Sequence, residues 1–286
     1  MGVGHAEVMS DLDSAYGPLI DTRVRVLSWN LWWRFGNWEE RRPAIAATLA
    51  ELDADILCLQ EVWEDAELSL AAELAATLHL EHVYGTRLDL DGVHFGNAVL
   101  SRWPIAAHEV LPLPAPDDAD EMRTCVRADI DGPRGRLQVF TTHLNWRFDQ
   151  SQIRQDQVRA ICAFIARSRV GSDHPFPPVL CGDLNADPDS DEIRMLTGRA
   201  ATPEPKLVFH DAWEAAGTGG RGTTWSNDNP YARLDLEPDR RIDYVLVGWP
   251  KAGGAGHVTS CSVVGQDAVN GVVPSDHYGV LAELRY

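Results

Sequence analysis

From Arg23 to the C-terminus, short apolar runs recur, and several of them begin or end on an acid, an amide or an imidazole. RVRVLSWN ends at Asn30, ADILCLQEVW carries Glu61 at its end, and RLQVFTTHLNW ends in His143 and Asn145. PVLCGDLN ends at Asp183 and Asn185, two residues apart, so an extended chain presents both to the same side. RIDYVLVGW starts with Asp243, and VVPSDHYGVLAELRY sets Asp276 and His277 just before a final strand. NAVLSRWPI, VRADI and the stretch near Val263 supply further candidate strands. Runs that are apolar at nearly every position belong to strands covered on both faces.

A helical period takes over between the strands. WEERRPAIAATLAEL (38–52) has Pro43 near its first turn and Ile45, Leu49 and Leu52 on one face. AELSLAAELAATLHL (66–80) is rich in alanine and leucine. The stretch 149–169 opens with Asp149 and Gln152 at capping-box spacing and carries apolar residues at 153, 158, 161 and 165. Shorter helices are predicted at 190–197 and 210–216, each stopped by a glycine, Gly198 or Gly217. Strands and helices mixed throughout predict an α/β (α+β) sandwich, two packed sheets with helices outside. Residues 1–22 read as a loose polar lead-in and 23–286 as a single domain, with a long, functional-looking loop at 217–240.

Composition narrows the partners. The hydrophobic and charged fractions are ordinary, but the net charge is −18 and the only lysines are Lys206 and Lys251. Such a chain repels polyanions and has no basic arm, so a tight, nonspecific nucleic-acid binder is disfavoured. An enzyme that meets phosphate through a divalent cation remains. Five dispersed cysteines without a CxxC pair read as buried free thiols rather than a disulfide framework or a zinc site. The N-terminal sequence lacks signal-peptide features, and no apolar run reaches membrane-spanning length, so the expected location is the cytoplasm and no stable membrane insertion is expected.

Each polar strand end has an ordinary structural role open to it: Asn30 a turn, Glu61 a solvated carboxylate, His143 a core histidine, Asp183 a helix cap. Six such segments together suit phosphoester hydrolysis. A hard cation such as Mg²⁺ takes oxygen ligands and one or two carboxylates, for which Glu61 and Asp276 are the natural acids. Asp183, beside an amide, can orient and deprotonate a water, and Asn30, Asn145 and Asn185 offer neutral donors to phosphate oxygens. His277 needs an orienting acid to act as an imidazolium, and Asp243 is available.

WN at 29–30, LQEVW at 59–63, THLNW at 142–146, GDLNADP at 182–188, RIDYVLV at 241–247 and SDH at 275–277 resemble the endonuclease/exonuclease/phosphatase superfamily, the deoxyribonuclease I-like fold. The resemblance implies a four-layer sandwich of two mainly antiparallel β-sheets flanked by helices, and Mg²⁺-dependent cleavage by in-line water attack, with Mn²⁺ as the alternative ion. It implies Glu61 as principal metal ligand with Asn30 and Asp276, Asp183 as the water-activating residue, and Asn185 and Asn145 on phosphate. His143 matches a mid-chain histidine of hydrolytic members, His277 the C-terminal histidine with Asp243 as its partner, and Arg123 a stabiliser of phosphate charge.

Trp32, Trp33, Trp38, Trp63, Trp146 and Trp225 follow the ligand positions or lie in the long loop. They are read either as an aromatic rim that stacks a base, a sugar or an apolar head group, or as core anchors. THLNWRFDQ looks more like the sphingomyelinase and phosphodiesterase-like branch, and Trp32 departs from DNA-repair relatives. The leading expectation is a monomeric hydrolase of a small-molecule or lipid-type phosphodiester or phosphomonoester. A nuclease acting on DNA or RNA is the alternative, and a catalytically inactive scaffold the third.

Overall fold

The structure, a computed structural model, describes residues 16–116, 121–169 and 174–286. The first sheet is built from β1 (Arg23–Asn30), β2 (Ile56–Glu64), β3 (Glu81–Leu90), β4 (Val93–Ser101), β11 (Val258–Val264) and β12 (Gly279–Arg285), in the order β11-β12-β1-β2-β4-β3. The second holds β5 (Ile105–Pro112), β6 (Thr124–Gly132), β7 (Gly135–His143), β8 (Val179–Asp183), β9 (Phe209–Asp211) and β10 (Asp243–Gly248), in the order β5-β6-β7-β8-β10-β9. β1/β2 and β7/β8 pair parallel; the other neighbours pair antiparallel.

Alternation within each strand explains why both faces are apolar. Val26, Cys58, Cys181 and Val245 pack between the sheets, together with Val99, Val126, Val139 and Ala282. Their neighbours Leu27, Leu57 and Leu59 face outward, in one cluster with Ile45 and Leu49 of α1 (Trp38–Leu52) and Leu74 of α2 (Leu70–Leu78). Leu180 and Leu246 do the same opposite α3 (Ser151–Ser168) and α4 (Asp191–Leu196), among Ile161, Phe164, Ile165 and Ile193. The result is the expected α/β/β/α layering. All five cysteines are buried free thiols.

Several boundaries differ from the sequence reading for local reasons. α2 begins at Leu70 rather than 66, because Asp65 Oδ1 accepts from the Glu67 and Leu68 amides and Ser69 then caps the helix. The capping box at Asp149 and Gln152 does not form: a 3₁₀ turn occupies Phe148–Gln150, and the Gln152 amide is directed to Asp156. α5 (Ala212–Ala216) starts two residues late, because Phe209–Asp211 form the edge strand β9. NAVLSRWPI divides between β4 and β5 at a turn, and β3 was not foreseen, since this edge strand is mostly polar. Residues 1–15 of the expected loose lead-in lie outside the described residues. Residues 16–20 are anchored by backbone hydrogen bonds between Gly253 and both Tyr16 and Ile20.

Register places the polar ends at one edge of both sheets. Asp183 sits opposite His143 on β7 and opposite Asp243 on β10, so three neighbouring strands deliver functional side chains at one level. In the other sheet Asn30 ends β1 opposite Gln60, and the 275–277 segment enters β12, the antiparallel neighbour of β1, from the same end.

Candidate active site

Asp243 Oδ2 accepts a hydrogen bond from His277 Nδ1 at 2.9 Å, which leaves His277 Nε2 directed at Asp183 Oδ2, 3.7 Å away. Burial opposes charge on this imidazole, but Asp243, Asp183 and Asp276 outweigh it and raise its pKa well above the ordinary histidine value. The dyad is held from behind: Thr224 Oγ1 accepts the Ile242 and Asp243 amides, and Trp29 Nε1 donates to the His277 carbonyl. His143 is the opposite case. Arg123 Nη1 donates to His143 Nδ1 at 2.8 Å, so the ring is neutral with its proton on Nε2, 3.4 Å from Asp183 Oδ2. Burial, then Arg123 and His277, pull its pKa well below the usual value.

Asp183 stands between these rings. Burial and then Asp243 raise its pKa to about 7, against the pull of His277 and the Asn30 amide. Its Oδ1 accepts the Asn185 amide at 2.9 Å and its Oδ2 accepts Asn30 Nδ2 at 3.0 Å. A carboxyl poised near neutrality, beside one cationic and one neutral imidazole, has the protonation range of a general base.

Glu61 faces this group from the other sheet. It lies at a bulge inside β2 rather than at the strand's end, with φ of 52°, a conformation a glutamate rarely adopts. The bulge turns its carboxylate toward Asn30, whose Nδ2 donates to Oε1 at 3.1 Å. Glu61 Oε2 is buried with no hydrogen-bond partner among the described residues. Burial raises the pKa of Glu61, and burial with the Glu61 charge raises Asp276 to about 7, despite His277 and Arg41. Buried Asp276 and part-buried Glu61, whose charge opposes ionisation of Asp276 and whose Oε2 has no partner among the described residues, fit a divalent cation. Asp183, Asp243 and His277 form a second group able to gather around an ion, their ligand atoms lying within 4.8 Å of one another. There Asp243 Oδ2 and His277 Nδ1 pair with each other while Asp243 Oδ1, like Glu61 Oε2, has no partner among the described residues; the oxygen-only Glu61/Asp276 pair, free of an imidazole ligand, suits a hard ion better.

The cleft in front of these residues measures about 730 Å³. Glu61, Arg123, His143, Asp183, Asn185, Asp276 and His277 line it; Asn30 and Asp243 stand behind, hydrogen-bonded to lining residues. Asn145 does not line it. Its amide is committed to Gln150 and Gln157, which makes it a brace for the loop after β7 rather than a phosphate contact. Arg123 is chelated by Glu121 at 2.9 and 2.6 Å while it reaches His143. The tryptophans divide. Trp32, Trp146 and Trp225 line the cleft with Phe35 and Phe95, whereas Trp38 and Trp63 pack edge to face, 5.4 Å apart, with Arg34 stacked over both. Trp33 lies behind Phe35 and Phe95 and donates to the His94 carbonyl.

Sequence reasoning missed Glu121, Arg41, Arg240 and Thr224. Arg240 lines the cleft, bound to Asp187 and to the Asn185 carbonyl. Arg241 and Asp211 form a buried ion pair nearby. Only the adjacency of Arg240 to the RIDYVLV segment signals it; Glu121 and Arg41 sit in polar stretches with no marker.

A family model described as the endonuclease/exonuclease/phosphatase family matches residues 27–277. Protein angel of Drosophila melanogaster is 29% identical over 220 residues, 70% of this chain and 58% of its own length. Protein angel homolog 2 of Danio rerio is 29% identical over 174 residues, 57% of this chain, so the chain spans 58% and 30% of these two relatives. Among solved structures, an endonuclease/exonuclease/phosphatase from Beutenbergia cavernae superposes with a TM-score of 0.69 at 26% identity, covering 92% of this chain and 71% of that one. A mannosyl-6-phosphatase from Bacteroides thetaiotaomicron superposes with a TM-score of 0.71 at 21% identity, covering 92% and 100% of the two chains. At that identity the second likeness carries the fold alone.

Proposed function

This chain belongs to the endonuclease/exonuclease/phosphatase family, whose enzymes are phosphoester hydrolases, and on that premise we propose that it is a Mg²⁺-dependent hydrolase of small-molecule or lipid-type phosphoesters. The observation that supports the metal reading is the buried Glu61 Oε2, which has no partner among the described residues, in a carboxylate whose charge helps raise the pKa of Asp276. Glu61 and Asp276 would hold the ion. When bound, it supplies Lewis-acid polarisation of a phosphate oxygen. Asn30 orients rather than ligates: its nitrogen spans Glu61 and Asp183, and its oxygen is taken by the Trp32 amide. Mn²⁺ is the alternative ion, since the donors are all oxygen.

Asp183 takes the proton of the attacking water, its carboxyl tuned to about 7. The His277 imidazolium, fixed by Asp243, and the neutral His143 Nε2–H flank Asp183 Oδ2 and line the cleft, where they would stabilise charge on the phosphate oxygens. Asn185 and Arg123 complete the phosphate side of the cleft. The nuclease reading is disfavoured by charge: the cleft's Arg123 and Arg240 are each neutralised by carboxylates, Glu121 for one and Asp187 with Glu237 for the other. We place the enzyme in the cytoplasm as a monomer, from the thiol-bearing, acidic sequence. Hydrolysis of p-nitrophenylphosphorylcholine and bis-p-nitrophenyl phosphate beside supercoiled plasmid tests the substrate class. Turnover of the small esters with an intact plasmid is expected, and plasmid nicking that outpaces both would return the assignment to a nuclease.

A further inference from the structure

Arg41 is fully buried, and it points from α1 into the back of the site rather than into an ion pair. Its Nη1 donates to the carbonyls of Leu31 at 2.8 Å and Pro274 at 3.0 Å. Its Nη2 is shared among the carbonyls of Trp32, Trp33 and Phe35 at 2.8, 3.1 and 2.9 Å. One guanidinium therefore joins two segments that are remote in sequence, the loop after β1 and the turn before β12.

Both segments carry the metal side of the site. In the first, the Leu31 and Trp33 amides donate to the carbonyls of Gln60 and Glu61, and the Trp32 amide to Asn30 Oδ1. The loop is thus tied to the β2 bulge that aims Glu61. In the second, Pro274 leads directly into Ser275, whose Oγ bonds the Asn30 carbonyl and lies 3.2 Å from Asp276 Oδ1. The loop is also held against its own preference. Trp32 and Trp33 have φ of 57° and 31°, and two successive non-glycine residues in that region persist only where surrounding contacts over-determine them. Arg41 binds the carbonyls of both and stacks over the Trp32 ring at 4.6 Å.

We propose that Arg41 is a positioning residue for the divalent-metal site: by clamping the 31–35 loop to the 274–276 turn it sets the separation of Glu61 and Asp276. This inference rests on the metal reading above. The guanidinium also acts electrostatically. Burial lowers its pKa to about 10, so it stays charged at neutral pH, and Asp276 and Glu61 favour that charge. Its charge in turn favours the ionised forms of Asp276 and Glu61.

Lysine keeps the charge but has three donors on a single nitrogen, so Arg41→Lys cannot reach both segments as the fork does. Mn²⁺ is titrated calorimetrically into the metal-stripped full chain without substrate, with circular dichroism to verify the fold. Arg41→Lys is expected to bind Mn²⁺ about tenfold or more weakly than wild type, as for other groups that orient ligands, and raising Mg²⁺ should restore much of its turnover. A folded Arg41→Lys variant with Mn²⁺ affinity within about twofold of wild type overturns the proposal. Should that variant not fold, Gly36→Ala carries the test. Gly36 is exposed with φ of +58°, and a Cβ there would lie 2.7 Å from the Trp32 ring, disturbing the clamped loop without touching the core. Weakened Mn²⁺ binding is again expected, and unchanged binding overturns the clamp. A wild-type chain that takes up no Mn²⁺ instead removes the metal reading itself, a distinct failure.

Discussion

At the scale of single residues, the site is made of groups that would be costly anywhere else. Glu61 combines a left-handed backbone with a buried oxygen that has no partner among the described residues. Such costs collect where function requires them. Glu61→Gln removes the buried charge while keeping the shape, so the metal-free variant should unfold at a higher temperature than wild type at pH 8 and yet lose Mn²⁺ binding. A lower melting temperature would mean that the carboxylate is structural. Asp183→Ala should cut turnover by about 10²-fold or more with the fold intact, because it removes the base that both imidazoles face. The polar strand ends were legible as a group, and Asp183, Asp243 and His277 do come together in the structure. Asn145 stands apart: its position in THLNW resembles a phosphate contact, while its amide is held by two glutamines that no short motif displays.

At the scale of elements, precision comes from register. Parallel pairing of β7 with β8 and antiparallel pairing of β8 with β10 put His143, Asp183 and Asp243 side by side, and a one-residue slip would point them to opposite faces. The packing that fixes this register lies behind the strands. Leu246 of β10 is fully buried in the cluster under α3 and α4, so Leu246→Ala should cost about 2–5 kcal/mol in denaturant unfolding. Arg154 and Glu192 join the same two helices through a buried ion pair at 2.5 Å, and Arg154 also holds the Asn145 and Arg147 carbonyls. Arg154→Met leaves that carboxylate uncompensated and should destabilise by about 3–5 kcal/mol in the same assay. A loss under 1 kcal/mol in either variant would show that the helix layer does not support the register. The periodic cores of α1 and α3 were readable in advance. Their first turns were not, because Asx turns and 3₁₀ geometry at Asp65 and Phe148–Gln150 depend on local side-chain bonds rather than on period.

For the whole molecule, fold class was legible because apolar runs covered on both faces leave few architectures other than sheets sandwiched by helices. The meeting of the two sheets at one edge was not, because sequence does not show which strands are neighbours. Arg41, which reaches Pro274 across 233 positions of chain while also holding Leu31, is the clearest instance. Charge acts at this scale as well. Glu61, Asp183 and Asp276 all have pKa values raised by burial, the latter two to about 7, so the folded chain binds more protons than the unfolded one between about pH 4 and 7. The raised pKa of His277 acts in the same direction above the ordinary histidine value, and the lowered one of His143 opposes it below. Stability of the metal-free chain should therefore fall as pH rises through this window, and Mg²⁺ should recover it at pH 7.5. Melting curves at pH 5.5 and 7.5, with Mg²⁺ and with EDTA, check both signs.

The most direct measurement is hydrolysis of p-nitrophenylphosphorylcholine and bis-p-nitrophenyl phosphate by wild type and Asp183→Ala, each in Mg²⁺ and in EDTA. Turnover in Mg²⁺ that is lost in EDTA and lost in the variant is the expected result. Turnover that persists in EDTA, or is equal in the two proteins, would contradict a mechanism built on Glu61, Asp276 and Asp183.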